Sequence, residues 1–362
     1  MSNNNELEEI IKKQIRLEGP LSVASYMGLC LTHSKFGYYK NCDVLGSSGD
    51  FITAPEISQM FGEFIGLFIA QSWLDLGSPK AFDLVELGPG RGTLLSDAFR
   101  VLEKVDGLIN AMSLNLLETG SEFKELQKEK LGKYNPIWVN DIEEISENNR
   151  PLIIIANEFF DALPIKQFQK QNGNWYERAI GLTSDKLSFG LAPNIIPKDA
   201  LPQNIVNAPD NSVWEVSFAS LILMEKIASL VAARRGTFLA IDYGYNKTQT
   251  GETFQAIKNH EYADPLNNPG KADLTAHVDF EALQKSALKA GANVFKLKTQ
   301  GEFLSLLGMK ERSEQLASAN PKQADEIKAA TNRLISKEEM GELFKVLCVS
   351  SKDFTPFPFG NT

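Results

Sequence analysis

The sequence predicts an α/β fold, a mostly parallel sheet covered by helices on both faces. Three observations carry this. Short runs that are apolar throughout, such as FDLVEL (82–87) and LIIIA (152–156), read as strands buried on both faces. Helical patterns alternate with them in the rhythm of βαβ units. The first run leads directly into a glycine-rich turn, GPGRG (88–92), at the carboxyl end of a strand, where open parallel sheets bind their ligands.

Bulk composition bounds the rest. A chain of 362 residues suffices for one large α/β domain with insertions or for two domains. With 43% hydrophobic and 23% charged residues it has the make-up of an ordinary soluble enzyme. A net charge of −9 argues against a nucleic-acid groove and suits a small ligand or a cationic partner. Cys30, Cys42 and Cys348 form no CxxC pair, and the three histidines form no HExxH, so no metal site is expected. No stretch is apolar for the roughly 20 residues of a membrane span. The N-terminal segment is polar, then amphipathic, without a secretory or Arg/Ser-rich transit character, and reads as that of a cytoplasmic protein.

The elements follow in order. Residues 1–80 are expected to form a helical cover. NELEEIIKKQIRLEG (5–19) has helical apolar spacing and stops at Gly19-Pro20, and EISQMFGEFIGLFIAQSWLDLG (56–77) is a second helix with Pro55 before it. Between them lies a Gly- and aromatic-rich loop (35–56), too long for an idle connection. From Phe82 onward strands and helices alternate: FDLVEL, then a helix at 94–105, MSLNLLE (112–118), a helix at 121–131, PIWVN (136–140) and LIIIA. An insertion is expected at about 165–215. It begins with a hairpin around Asn172-Gly173 and continues as an extended Pro- and Asn-rich surface segment, LAPNIIPKDALPQNIVNAPD. The α/β pattern then resumes with a helix at 217–235, the strand TFLAIDYG, a helix opened by Asp279 and stopped by Gly291, and last strands at NVFKLKT and LFKVLCVS. The domain expectation is thus a cover over 1–80 and a ligand-binding domain over 81–362.

The glycine turn admits three readings besides a tight structural turn. A Walker A loop needs GxxxxGK[ST], which is absent. A dinucleotide fingerprint needs GxGxxG, but its third glycine position holds Thr93. The observed pattern is E-x-G-x-G-x-G: Glu86, Gly88, Gly90 and Gly92. It is the signature of class I S-adenosylmethionine (SAM) methyltransferases, and glycine suits it because a Cβ would collide with a ligand lying over the turn. Two further strand tips carry acids. Glu118 ends the second strand and can accept hydrogen bonds from both ribose hydroxyls of an adenosine; Asp141 follows the third and can receive an adenine amino group. The fourth strand runs into ANEFFDALP (156–164), where such enzymes place the acceptor. Asn157 and Phe160 take the first and last positions of an Asn-x-x-aromatic tetrad suited to holding a nitrogen in line with a methyl donor. Glu158 and Asp161 offer carboxylates that can fork onto a guanidinium. Solvated charges and core phenylalanines are the plain alternative for each.

On these residues the sequence resembles the MidA-like family of SAM-dependent methyltransferases, whose mitochondrial member methylates an arginine of a respiratory complex I subunit. The resemblance rests on GYY (37–39), GDFITAPEISQMFGEFIG (49–66), VELGPGRGTL (85–94), ANEFFDALPI (156–165), IDYGY (241–245) and ADLTAHVDF (272–280). It implies a Rossmann-like, seven-stranded, mostly parallel sheet with a helical N-terminal cover. It implies SAM as cofactor, with Gly88, Gly90 and Gly92 lining the pocket and Glu118 on the ribose. The loop Gly49–Glu56, with Thr53, would close over the cofactor as a lid. LLETGSEF (116–123) stands where a VEVSP-like stretch is typical, which keeps the acid but alters its surroundings. The implied reaction is methyl transfer to a protein arginine, with a complex I subunit among the candidate partners. Its rivals are a small-molecule or non-arginine methyltransferase, a non-catalytic assembly factor, and, last, a NAD-dependent oxidoreductase.

Overall fold

A computed structural model describes residues 5–40, 53–145 and 149–360. They cluster into two units. One contains 53–145, 149–159, 223–246 and 283–360; the other contains 5–40, 160–222 and 247–282.

The first unit is built on a sheet whose strands we number β1 Phe82–Leu87, β2 Met112–Leu117, β3 Ile137–Val139, β4 Leu152–Asn157, β5 Gly236–Tyr245, β6 Asn293–Val294 and β7 Phe344–Ser350. Their order across the sheet is β3-β2-β1-β4-β5-β7-β6. β3 to β5 run parallel, and β7 is antiparallel to both of its neighbours. β1 and β7 are buried along their whole length, as two-sided coverage requires. The segment read from the sequence as one strand, NVFKLKT, is instead two short pieces, β6 and Lys298–Thr299, each laid against β7.

The register sets the parallel strand tips level. Leu87 stands opposite Leu117 of β2 and Ala156 of β4; Leu117 opposite Val139 of β3; Asn157 opposite Ile241 of β5. Chain order reverses between β1 and β4, so the first glycine turn emerges at the point where crevices open in such sheets. The helix Gln59–Asp75, expected in the N-terminal cover, packs in this unit against the helix Thr93–Leu102. Gly62 and Gly66 permit the contact: a Cβ at Gly62 would lie 2.5 Å from the Asp97 Cβ, and one at Gly66 2.6 Å from the Ala98 carbonyl oxygen.

In the second unit the helix Glu6–Glu18 is capped by Asn5, whose Oδ1 accepts from the Leu7 and Glu8 N–H groups, and it buries Leu7, Ile11 and Ile15. It ends at Gly19, as Gly-Pro predicts. The hairpin forms as read: Lys166–Gln171 pairs with Asn174–Thr183 across Asn172 (φ +50°) and Gly173 (φ +78°), the two left-handed residues of a type I′ turn. The following segment departs from the expectation. Lys186–Ile196 is an eleven-residue strand antiparallel to Asn174–Thr183, so the stretch read as extended surface from Leu191 is, as far as Ile196, a paired strand, though one with no buried residue. Its only strand neighbour is Asn174–Thr183 among the described residues, and an edge strand can hold Pro193 with no loss of ladder bonds on its open side.

Candidate active site

The glycine turn requires glycine three times. Gly88, Gly90 and Gly92 have φ of +62°, +50° and +73°, a left-handed region that L side chains avoid. A Cβ on Gly88 would also sit 2.6 Å from the Phe159 ring. The Gly88 N–H donates to the Leu117 carbonyl (3.0 Å) and the Gly92 N–H to the Pro89 carbonyl (2.7 Å), so the turn is pinned to β2 and to itself. The helix Thr93–Leu102 begins immediately after it with no side-chain cap. Thr93, which breaks the dinucleotide fingerprint, joins two neighbouring segments to this helix start. Its hydroxyl donates to Glu56 Oε1 and accepts from Lys130 Nζ, both at 2.8 Å.

Glu86 is 3% exposed. Its Oε2 has no hydrogen-bond partner among the described residues. Burial, with the like charge of Glu118 adding, pushes its carboxyl up to about 8. Glu118 follows β2 and is held on both oxygens. Oε1 accepts from the Gly120 N–H (2.7 Å) and Oε2 from Gln127 Nε2 (3.1 Å). Its carboxyl is raised by burial, against the opposing pull of these bonds. Asp141 lies exposed at the tip of β3. It accepts from the Glu143 N–H (3.0 Å), capping the turn Ile142–Glu144, and stands 3.7 Å from Lys226 Nζ.

At the tip of β4 the backbone of Glu158 is left-handed, φ +49°, in a non-glycine residue. Such strain collects at working sites and persists only when the surroundings enforce it. Here the Glu158 N–H donates to the Ile241 carbonyl (2.9 Å), and Oε1 accepts from the Ala54 N–H (2.9 Å) and Asn157 Nδ2 (3.0 Å). Asn157 Oδ1 is buried and has no donor among the described residues. The Phe159 N–H donates to Asp242 Oδ2 (3.1 Å). Thr53 caps the short helix Ala54–Ile57 through its backbone only, accepting from the Glu56 N–H (2.9 Å). The expected lid Gly49–Glu56 lies outside the described residues from 49 to 52. Asp161 belongs to the second unit, where it is 6% exposed and its carbonyl accepts from the Ala276 N–H (3.0 Å). Phe160 is core, 2% exposed.

The level strand tips of the first unit therefore gather Glu86, the three glycines, Glu118, Asn157 and Glu158, with Thr53 joined through the Ala54–Glu158 bond. Three contributors escaped the sequence reading. Asp242, 1% exposed, fixes the Phe159 backbone from β5. Glu56 ties its segment to Thr93. Gln127, wholly buried, links the glycine turn to Glu118. The last had a readable signal. Phe123, Gln127 and Leu131 form the buried i, i+4, i+8 stripe of their helix, and a glutamine in an apolar stripe needs a polar partner.

The pocket chemistry fits SAM. Left-handed glycines leave backbone bare for a close ligand, a buried carboxylate has an oxygen to spare for a cation, and a fixed acid stands at the second strand tip for a diol. Comparison with known proteins agrees. Residues 64–298 match the model of the family described as "Putative S-adenosyl-L-methionine-dependent methyltransferase". The zebrafish (Danio rerio) mitochondrial protein arginine methyltransferase NDUFAF7 is 35% identical, over 96% of this chain and 87% of its own. The human protein of that name is also 35% identical, over 91% of this chain and 80% of its own. A protein from Burkholderia thailandensis solved with bound S-adenosyl-homocysteine has a TM-score of 0.83 and 25% identity, covering 95% of this chain and 91% of the other. These relatives correct one expectation. The zebrafish and human proteins are mitochondrial, which overturns the reading of this chain as cytoplasmic. An address is read from a peptide by a receptor and leaves no mark on the composition of the folded domain, so the polar N-terminal pattern was no guide to it.

Proposed function

Because the chain belongs to this family of SAM-dependent methyltransferases, we propose that it methylates a protein nitrogen, the guanidinium of an arginine. The observation that carries the acceptor assignment is the similarity, along 96% of the chain, to a relative named protein arginine methyltransferase. A respiratory complex I subunit is the partner that the MidA-like resemblance suggests. When bound, SAM supplies an activated sulfonium methyl.

The residues divide the work as follows. Gly88, Gly90 and Gly92 let the cofactor lie against bare backbone, Glu86 faces its positive charge, Glu118 takes the ribose hydroxyls, and Asp141 receives the adenine amino group. Thr53 flanks the pocket from the segment fastened to Glu158. Asn157 Oδ1 accepts a guanidinium N–H. Glu158 steers the cation by a charge-assisted hydrogen bond and accepts the proton that the methylated nitrogen must lose. Its enforced left-handed backbone directs the carboxylate, and the Ala54 and Asn157 donors hold one oxygen in place. Asp161 is the second carboxylate in rank. Catalysis is chiefly positioning, with exclusion of water.

Glu158→Gln keeps the shape and removes the charge. It is expected to leave S-adenosyl-homocysteine affinity within about twofold and to lower methyl transfer at least about 10²-fold, the low end for a lost acid–base group. Mass spectrometry of cells lacking the protein should show a missing methylarginine. Loss of methyl marks only from lysine, N-termini or small metabolites would refute the arginine acceptor.

A further inference from the structure

We infer that Gln127 is a positioning residue, whose side-chain amide fastens the glycine turn and the Glu118 carboxylate into a single cofactor-ready geometry. The inference rests on the assignment of Glu118 to the ribose. Gln127 lies on the helix Ser121–Leu131 and is fully buried. Its Oε1 accepts from Trp138 Nε1 at 2.8 Å, and its Nε2 donates to the Gly90 carbonyl at 2.8 Å and to Glu118 Oε2 at 3.1 Å.

The indole nitrogen can only donate, so the atom facing it must be the amide oxygen. That fixes the amide's orientation and aims both of its N–H groups at the site. One restrains the peptide of Gly90, which is left-handed and so free to take several conformations in an unrestrained chain. The other restrains Glu118. With Oε1 already held by the Gly120 N–H, the second bond fixes the plane of the carboxylate. A carboxylate offers about four lone-pair sites, so both oxygens keep an acceptor position for a diol. The network thus spans the turn after β1, the tip of β2 and β3, and it removes the ordering that binding would otherwise require.

Packing alone does not call for this residue. Phe123 and Leu131 flank it on the same buried stripe, where an apolar side chain of equal length would avoid the desolvation of an amide. Gln127 is therefore best understood through what it holds.

The test uses the full chain with S-adenosyl-homocysteine as probe, by calorimetry, with thermal unfolding alongside. Gln127→Met keeps the length and deletes the donors. It should weaken binding about tenfold, the scale of one hydrogen bond to a charged group. KM for SAM should rise in proportion and kcat at saturation should stay within about twofold, as loss of uniform binding dictates. In a Glu118→Ala background the same substitution should weaken binding only about threefold or less, because coupled residues are not additive. Trp138→Phe touches neither the turn nor the acid, yet should weaken binding severalfold by freeing the amide; it serves if Gln127→Met unfolds. Equal losses with and without Glu118, or affinities within about twofold of wild type for both Gln127→Met and Trp138→Phe, overturn the inference. Glu118→Ala alone separates the failures. Unchanged affinity there overturns the ribose assignment, whereas a loss there with none in Gln127→Met overturns only the role of Gln127.

Discussion

Asp83 and Glu86 lie three residues apart on β1, on opposite faces of the sheet, and are 2% and 3% exposed. The protein treats these two buried carboxylates differently. Asp83, toward the start of the strand, is met by the buried guanidinium of Arg234, which donates to its Oδ2; the Arg234 Nε is in turn held by the Arg150 carbonyl at 3.0 Å. Glu86, toward the strand's end, makes no ion pair among the described residues. Its charged neighbour is Glu118, and its carboxyl is raised to about 8. The difference separates a charge that the fold neutralises itself from one that, on the proposed function, a ligand would neutralise. A carboxylate satisfied within the protein serves architecture. One buried at a strand tip with an oxygen to spare suits a cation, and under the proposed function SAM would bring two, its sulfonium and its ammonium.

The comparison breaks most readily at Asp83. Asp83→Ala takes its carboxylate partner from the buried Arg234 guanidinium, which should remove about 3–5 kcal/mol of unfolding free energy. Urea unfolding measures this, and a loss under about 1 kcal/mol would show the pair to be ornamental. At Glu86 the pattern should reverse. Glu86→Gln should leave unfolding stability intact or improved and weaken S-adenosyl-homocysteine or SAM binding about tenfold, the loss of one charge-assisted hydrogen bond. Full affinity in Glu86→Gln would remove this residue from the pocket.

The smallest effect sharpens the same contrast through pH. The folded-state pKa of Glu86 lies above the ordinary 4.5, so the folded chain binds a proton that the unfolded chain has released. Its contribution to stability is therefore whole below pH 4.5 and is lost as pH rises toward 8. The ligand-free wild type should fall in stability across that window relative to Glu86→Gln. A bound cation favours the carboxylate, so SAM binding near pH 7 should release a fraction of a proton. Calorimetry in buffers of different ionisation enthalpy would detect it, and identical apparent enthalpies would contradict the scheme.

Much of the site is legible in the chain because its signals are local. An apolar run of six residues, glycines at alternate positions and an acid closing the next strand lie within the spacing that strand and turn geometry impose. Glu86, Gly88, Gly90, Gly92 and Glu118 could therefore be nominated from pattern alone, and the register brings them to neighbouring strand tips. Glu158 could be nominated from its loop, but not its left-handed backbone or its donor from Ala54, 104 residues earlier. The strand Lys186–Ile196 escaped because an edge strand tolerates proline and polar residues, and periodicity cannot distinguish such a strand from an extended loop.

By itself, then, the sequence determined the order of the parallel strands and the helices between them, the bare glycine turn and the family chemistry, since these follow from short-range sterics and from which residues avoid water. Only the tertiary structure decided which buried carboxylate meets a guanidinium and which does not. Arg234 reaches Asp83 across 151 positions, and Gln127 reaches Gly90 across 37. Such partners are chosen by desolvation once the chain is packed. A carboxylate or an amide in a sequence reads the same whether water, a guanidinium or a cofactor is to satisfy it, and only what is packed around it separates the cases.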